Sequence, residues 1–154
     1  MTDPAAILRR ETLVSAAINA AISVGFFLLV FGLSGPVPVR GVGAYAFDFA
    51  PQSLAIGIMA TLVPALLLRA ALRRGGVSGV ATRGPTTRAI VLRALAQGIA
   101  AMVIGGGLCA ALLWVAGVQQ LPLLPAFAAK VAYGAALGAF ITRRTLARML
   151  ARPV

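Results

Sequence analysis

Four long apolar runs constrain this chain more than any other feature of its sequence. They cover residues 13–33, 53–72, 94–118 and 123–142, and they contain 21, 20, 25 and 20 residues. A helix rises 1.5 Å per residue, so about 20 residues cross the hydrocarbon core of a bilayer, which is about 30 Å thick. Only helices and closed barrels satisfy their backbone hydrogen bonds in lipid, and the runs do not alternate, so each predicts a membrane-spanning helix.

The four spans predict an all-α fold, an integral membrane four-helix bundle in which residues 1–154 form a single membrane domain. The chain is 60% hydrophobic and 11% charged, whereas a soluble domain is about 25% charged. This composition excludes a soluble globular domain, a disordered tail and a disulfide-stapled secreted fold. Arg9–Arg10 resembles a twin-arginine export signal, but the first run exceeds the 7–15 apolar residues of a cleaved signal, so we expect a retained span.

Basic residues are distributed unequally about these spans. Of the 14 basic residues, 12 lie on the side of the two termini and the middle loop, Arg40 lies on the other side, and Lys130 lies within the fourth span. The positive-inside rule therefore predicts cytoplasmic termini and, for a bacterial protein, a location in the inner membrane. We expect arginines at the span ends to contact the anionic headgroups of the lipid bilayer. These are Arg73, Arg74, Arg143 and Arg144.

The residue inventory removes most catalytic chemistry. The chain has no His, one cysteine (Cys109) and three dispersed acids, Asp3, Glu11 and Asp48. It therefore offers no imidazole base, no carboxylate pair and no cluster of metal ligands. We expect no enzyme activity, no metal and no cofactor. The net charge of +11 does not predict a nucleic-acid partner either, because the arginines follow the span ends rather than one soluble face.

The first loop is predicted to lie at the membrane surface on the side opposite the termini. It covers residues 34–52, before the second span. Its aromatic residues Tyr45, Phe47 and Phe49 suit the interfacial aromatic belt. Asp48 is expected in the same loop, near Arg40 and outside the spans.

Lys130 is the one ionisable side chain clearly within a span, and such residues are candidates for function by default. It shares a helix face with Gly134, Gly138 and Thr142, because the four residues are spaced by four. We therefore expect Lys130 to face another helix or a cavity. Two roles remain open. The side chain snorkels to the nearer interface or packs locally, which the sequence favours, or it faces a substrate or an anion.

Other spans contain further polar candidates and small-residue stripes. Asn19, Thr61 and Gln97 lie in the first, second and third spans, and hydrogen bonding between helices is the simpler interpretation of each. Glycines spaced by four from other small residues favour close helix packing. The packing candidates are Gly57, Gly105, Gly134 and Gly138.

The two halves of the chain resemble each other at an offset of 74 residues. The matching pairs include Arg9 and Arg83, Gly32 and Gly106, and Pro51 and Pro125. This similarity predicts two helical hairpins, residues 1–76 and 77–154, as parallel repeats related by an axis along the membrane normal. At this offset Asn19 corresponds to Arg93. Chance similarity between alanine-rich helices is the alternative.

Two classes of function are compatible with these features. The first is a small transporter or channel for a small solute or anion, formed by oligomerisation because four short helices enclose little space. The second is a non-catalytic accessory, scaffold or assembly subunit of a membrane protein complex, which the scarcity of intramembrane polar groups favours. Both predict a partner, which is a further copy of the chain or another membrane protein.

Overall fold

The structure, a computed structural model, describes residues 3–74 and 85–151. These residues form four long helices, each long and apolar enough to cross a membrane, together with two short strands. The helices are α1 (Pro4–Phe31), α2 (Tyr45–Arg73), α3 (Thr87–Val115) and α4 (Leu123–Leu150), and the strands are β1 (Val37–Pro38) and β2 (Gln120–Leu121). The predicted all-α fold of four membrane-spanning helices is confirmed, and the chain is a multi-pass membrane protein.

Each helix extends beyond its predicted apolar run at one end at least. α1 begins at Pro4, where the Asp3 side chain accepts a hydrogen bond of 3.2 Å from the Ala5 amide. An acidic N-cap followed by proline is a favourable helix start. At the other end of the chain α4 continues past Thr142 to Leu150, so both helices extend into the Arg-rich ends of the sequence.

The start of α2 differs from the sequence prediction. The helix begins at Tyr45, so Pro51 lies inside it and Asp48 lies in its first turn. Tyr45 and Phe49 are only 2% and 4% exposed, whereas Phe47 is half-exposed. The interfacial assignment was therefore wrong for Tyr45 and Phe49. Both rings pack in a buried cluster with Phe27, and this tertiary packing stabilises a helical turn that propensity alone does not predict.

The four helices form a row in the order α1, α4, α2, α3. α1 packs along α4, α4 packs along α2, and α2 packs along α3, whereas α1 and α2 have few contacts. In two parallel repeats α1 would be equivalent to α3, and α2 to α4. The α1–α4 contact would then be equivalent to the α3–α2 contact, and both contacts are present. Gly134 of α4 approaches Asn19 of α1, and Gly57 of α2 approaches Gln97 of α3.

The two strands connect the loops of the two hairpins. β1 and β2 pair in antiparallel register, with Val37 opposite Leu121 and Pro38 opposite Gln120. The Val39 amide adds a hydrogen bond of 3.0 Å to the Gln119 carbonyl. We call this end of the bundle the strand end, and the opposite end, where α1 begins and α4 ends, the Arg-rich end.

Close helix contacts occur at all four predicted packing glycines. A Cβ at Gly57 would lie 2.6 Å from the Cα of Gly98. A Cβ at Gly134, Gly138 or Gly105 would overlap Ser23, Asn19 or the Tyr133 hydroxyl, respectively. Such approach distances require glycine. Gly105 lies in a π-helical segment of α3, Ala101–Gly106.

Candidate functional site

Lys130 and Asp48 form an ion pair inside the bundle. The Lys130 Nζ lies 2.8 Å from the Asp48 Oδ2, and the Lys130 side chain is 0% exposed. Lys130 lies about two turns into α4, and side chains lean toward the start of their helix, so its amine reaches the first turn of α2. The favoured interpretation combined snorkelling with local packing, and Lys130 packs locally, because an acidic partner lies within reach in the bundle.

Aromatic rings enclose this ion pair. The Lys130 Nζ lies 3.9 Å from the centroid of the Phe49 ring and 5.0 Å from that of Tyr45. The Tyr45 hydroxyl donates a hydrogen bond of 2.8 Å to the Ala126 carbonyl. The ring faces attract the ammonium. Because neither the Nζ nor the Oδ2 has a further hydrogen-bond partner among the described residues, the site stabilises the two charges mainly through each other.

A line of hydrogen-bonded polar side chains runs from this region along the contacts of α1 with α4 and α2. We call it the polar seam, and its members are Ser15, Asn19, Ser23, Gln52 and Thr142. Gln52 Nε2 donates to Ser23 Oγ at 2.7 Å, and Ser23 Oγ donates to the Asn19 carbonyl at 2.8 Å. Asn19 Nδ2 donates to the Ser15 carbonyl at 2.8 Å. The Gln52–Ser23 bond joins α2 to α1, whereas the other two bonds lie within α1. Hydrogen bonds between helices stabilise their association in a membrane.

Thr142 completes the polar seam toward the Arg-rich end. Its Oγ1 lies 2.8 Å from Ser15 Oγ and 3.0 Å from the Ala60 carbonyl, so it bridges α4 to both α1 and α2. All five seam residues are buried. The Gln52 Oε1 has no partner among the described residues.

A cavity of about 530 Å³ lies between α2, α3 and α4. We call it the basic cavity. Its polar lining consists of Thr61, Arg93, Gln97, Thr145 and Arg148. Thr61 lies 12 residues before the end of α2 at Arg73, which is about 18 Å along the helix. The basic cavity therefore extends from the arginines at the Arg-rich end to about half the depth of the bundle.

The candidates from sequence fall into three places. Lys130 belongs to the ion pair and Asn19 to the polar seam, whereas Thr61 and Gln97 line the basic cavity. Thr61 is 4% exposed, and its hydroxyl has no partner among the described residues. The headgroup candidates are all exposed and lie outside the basic cavity. They are Arg73, Arg74, Arg143 and Arg144.

Sequence reasoning missed Asp48 and Gln52 as site residues. Both fall in the predicted first loop, because Pro51 predicts that the second span begins after it. One signal was present. The chain has three acids and a single intramembrane cation, and a buried cation requires a counter-charge. Asp48 is the one acid on the side opposite the termini, where the span that contains Lys130 begins.

No known family model, no curated protein and no solved structure matches this chain significantly. Its function is therefore argued from the ion pair, the polar seam and the basic cavity.

Proposed function

We propose that this protein is a small-solute carrier of the bacterial inner membrane, with both termini in the cytoplasm and the basic cavity as its inner vestibule. The basic cavity is the observation that carries the proposal. Helix interfaces are normally filled to high density, yet here about 530 Å³ stays open next to two arginines, two threonines and a glutamine. Substrate sites of secondary transporters lie near the bilayer midplane, between repeated hairpins.

The closed strand end supports the same proposal. The Lys130–Asp48 ion pair, its aromatic enclosure and the β1–β2 pairing all lie at this end. A vestibule on one side and a closed contact on the other correspond to one end state of alternating access. In the proposed cycle α2 and α4 separate at the strand end, which breaks the Lys130–Asp48 pair and opens the other side. We expect two or more copies in the working unit.

Flux into proteoliposomes tests the proposal. Purified full-length protein is reconstituted, and uptake of radiolabelled phosphate, acetate and glycerol is compared with uptake by empty liposomes. We expect saturable uptake of at least one solute. Thr61→Leu, which places a larger apolar side chain at the inner wall of the basic cavity, lowers that uptake severalfold, whereas Arg144→Gln, outside the cavity, leaves it unchanged. No saturable uptake, or equal uptake by Thr61→Leu and wild type, contradicts the carrier.

The alternative is a non-catalytic accessory subunit of a membrane complex. The polar seam favours it, because its bonds from Gln52 to Ser23 and from Thr142 to Ser15 and Ala60 join helices, and they leave few groups for a solute. Purification in a mild detergent followed by mass spectrometry separates the two functions. Recovery of a stoichiometric membrane partner favours the accessory subunit, and recovery of the protein by itself contradicts it.

A further inference from the structure

We infer that the basic cavity is a binding site for an oxyanion, a phosphate or carboxylate group attached to a small apolar body. This inference deepens the proposed function and rests on it for the biological role of the site. The binding itself is a separate property of the cavity and is measured without any flux.

Charge is the first argument. Arg93 of α3 and Arg148 of α4 both line the basic cavity, and within residues 3–74 and 85–151 no acidic residue does. Guanidinium groups bind phosphate and carboxylate through paired hydrogen bonds. Arg93 and Arg148, from different helices, border the same cavity and are both exposed, so they give it a positively charged rim that favours an anionic group.

The acids of this chain are engaged elsewhere, so they do not neutralise these arginines. Asp48 is paired with Lys130 at the strand end, and Asp3 caps α1. Glu11 lies on α1, which is separated from α3 by α4 and α2 in the row of helices. Because the whole sequence contains three acidic side chains and both arginines are exposed, Arg93 and Arg148 are open to an anion from outside the protein.

The unpartnered Thr61 hydroxyl is the second, independent observation. Buried hydroxyl groups in proteins are almost always hydrogen-bonded, yet the Thr61 Oγ1 has no partner among the described residues, although Thr61 lies at the inner wall of the basic cavity. The oxygen itself has almost no surface open to the cavity, so the side chain has to rotate to reach a bound group. Gln97 and Thr145 add donors along the same walls. A bound oxyanion accepts hydrogen bonds from such groups, whereas a cation does not.

The apolar lining indicates the rest of the ligand. Ala65, Ile90 and Met149 are buried residues that also line the basic cavity. Its volume of about 530 Å³ lies within the usual range for small-molecule sites, about 300–1,000 Å³, and exceeds the needs of an inorganic ion. An organic carboxylate or phosphate and the headgroup of an anionic phospholipid share this chemistry.

A binding experiment tests the inference and separates the two sources. Full-length protein in neutral detergent is titrated calorimetrically with butyrate, with inorganic phosphate and, in mixed micelles, with phosphatidylglycerol, all at fixed ionic strength. The cavity variant is Arg93→Gln/Arg148→Gln. The matched control is Arg88→Gln/Arg144→Gln, which removes the same charge from the same two helices at exposed positions outside the cavity.

We expect the cavity variant to raise the Kd at least about tenfold, because it removes charge-assisted hydrogen bonds, and the control to change it less than about twofold. Saturable binding of butyrate or phosphate with this pattern assigns the site to a free anion. The same pattern with phosphatidylglycerol alone assigns it to a lipid headgroup. No saturable binding of any of the three probes, or equal weakening in both double variants, overturns the inference.

Two further results keep the outcomes distinct. Thr61→Val retains the shape of the side chain without its hydroxyl, and we expect it to weaken binding less than the arginine variant does. Unchanged binding in Thr61→Val would show that the Thr61 hydroxyl does not contact the bound anion. If binding follows the expected pattern while proteoliposomes show no flux, the carrier proposal fails and the anion site stands.

Discussion

Asp48 and Lys130 join the first turn of α2 to the second turn of α4 through a distance of 2.8 Å between carboxylate and ammonium. The pair is enclosed by the rings of Tyr45 and Phe49. Removing one member of a buried pair leaves the other uncompensated, whereas removing both also removes the cost of desolvating them. The two residues should therefore behave as a unit when they are mutated.

The substitutions Lys130→Met and Asp48→Asn, made singly and together, test whether the two residues act as a unit. We expect each single substitution to lower the free energy of unfolding by about 3–5 kcal/mol and the double variant to lie within about 2 kcal/mol of wild type. Unfolding is followed by circular dichroism in mixed micelles with increasing dodecyl sulfate. Arg144→Gln, an exposed cation on the same helix, should change stability by less than about 0.5 kcal/mol. Additive losses in the double variant would show that the pair is not coupled.

Gly134→Ala tests the closest contact between α1 and α4. A methyl group at Gly134 overlaps Ser23 Oγ, so we expect a loss of about 1–3 kcal/mol of unfolding free energy from overpacking. Gly25 is the matched control, because a Cβ there meets no atom within 4 Å. Gly25→Ala should be neutral or stabilising by up to about 1 kcal/mol, since glycine disfavours helices. The same unfolding assay applies, and equal effects at both positions would contradict the packing role.

The orientation of the chain is tested by cysteine labelling in a Cys109→Ala background. Val42 is 95% exposed near the strand end, and Ala6 and Ala151 lie at the Arg-rich end. We expect an impermeant maleimide to label Val42→Cys in intact spheroplasts, and to label Ala6→Cys and Ala151→Cys only after permeabilisation. Labelling of Ala6→Cys and Ala151→Cys from opposite sides would contradict the four-span topology.

Expression of the two halves as separate chains tests how the hairpins depend on each other. α1 packs on α4 rather than on α2, so residues 1–76 and 77–154 each expose their main helix contacts when the other half is absent. We expect each half alone to aggregate on extraction into mild detergent, and the co-expressed halves to purify together through a tag on either one. A half that is monodisperse and helical by itself would show that the hairpins are independent units.

The spans were predictable because length and hydropathy determine them, and the helix ends were not. α2 begins at Tyr45, ahead of an internal proline, because Tyr45 and Phe49 are buried against Phe27 and neighbouring rings. This contact joins α1 to α2 through their ends rather than along their length. No local sequence signal encodes such a contact, so the first turn of α2, and with it Asp48, was assigned to the loop.

The site was predictable one residue at a time, but its groupings were not. Lys130, Thr61 and Gln97 are unusual within a span whatever their neighbours are, so the sequence indicates each of them. The row of helices determines their partners, because it places α2 between α3 and α4. Arg93 and Arg148 are similar to the other arginines in the sequence, and only this arrangement brings them to one cavity.

The π-helical segment of α3 has a consequence for how chain length can vary. A π turn is wider than an α turn and accommodates one surplus residue. Within Ala101–Gly106, Gly105 faces Tyr133 of α4 and Gly106 faces Ala50 of α2. Deleting one residue within this segment would restore a regular α-helix and leave Trp114 facing Arg40, whose guanidinium lies over its ring. A deletion in a regular part of α3 would instead rotate the remainder of the helix by about 100° relative to its beginning. Within α3, a one-residue deletion should therefore be tolerated best in Ala101–Gly106, provided that Gly105 and Gly106 keep their places against Tyr133 and Ala50.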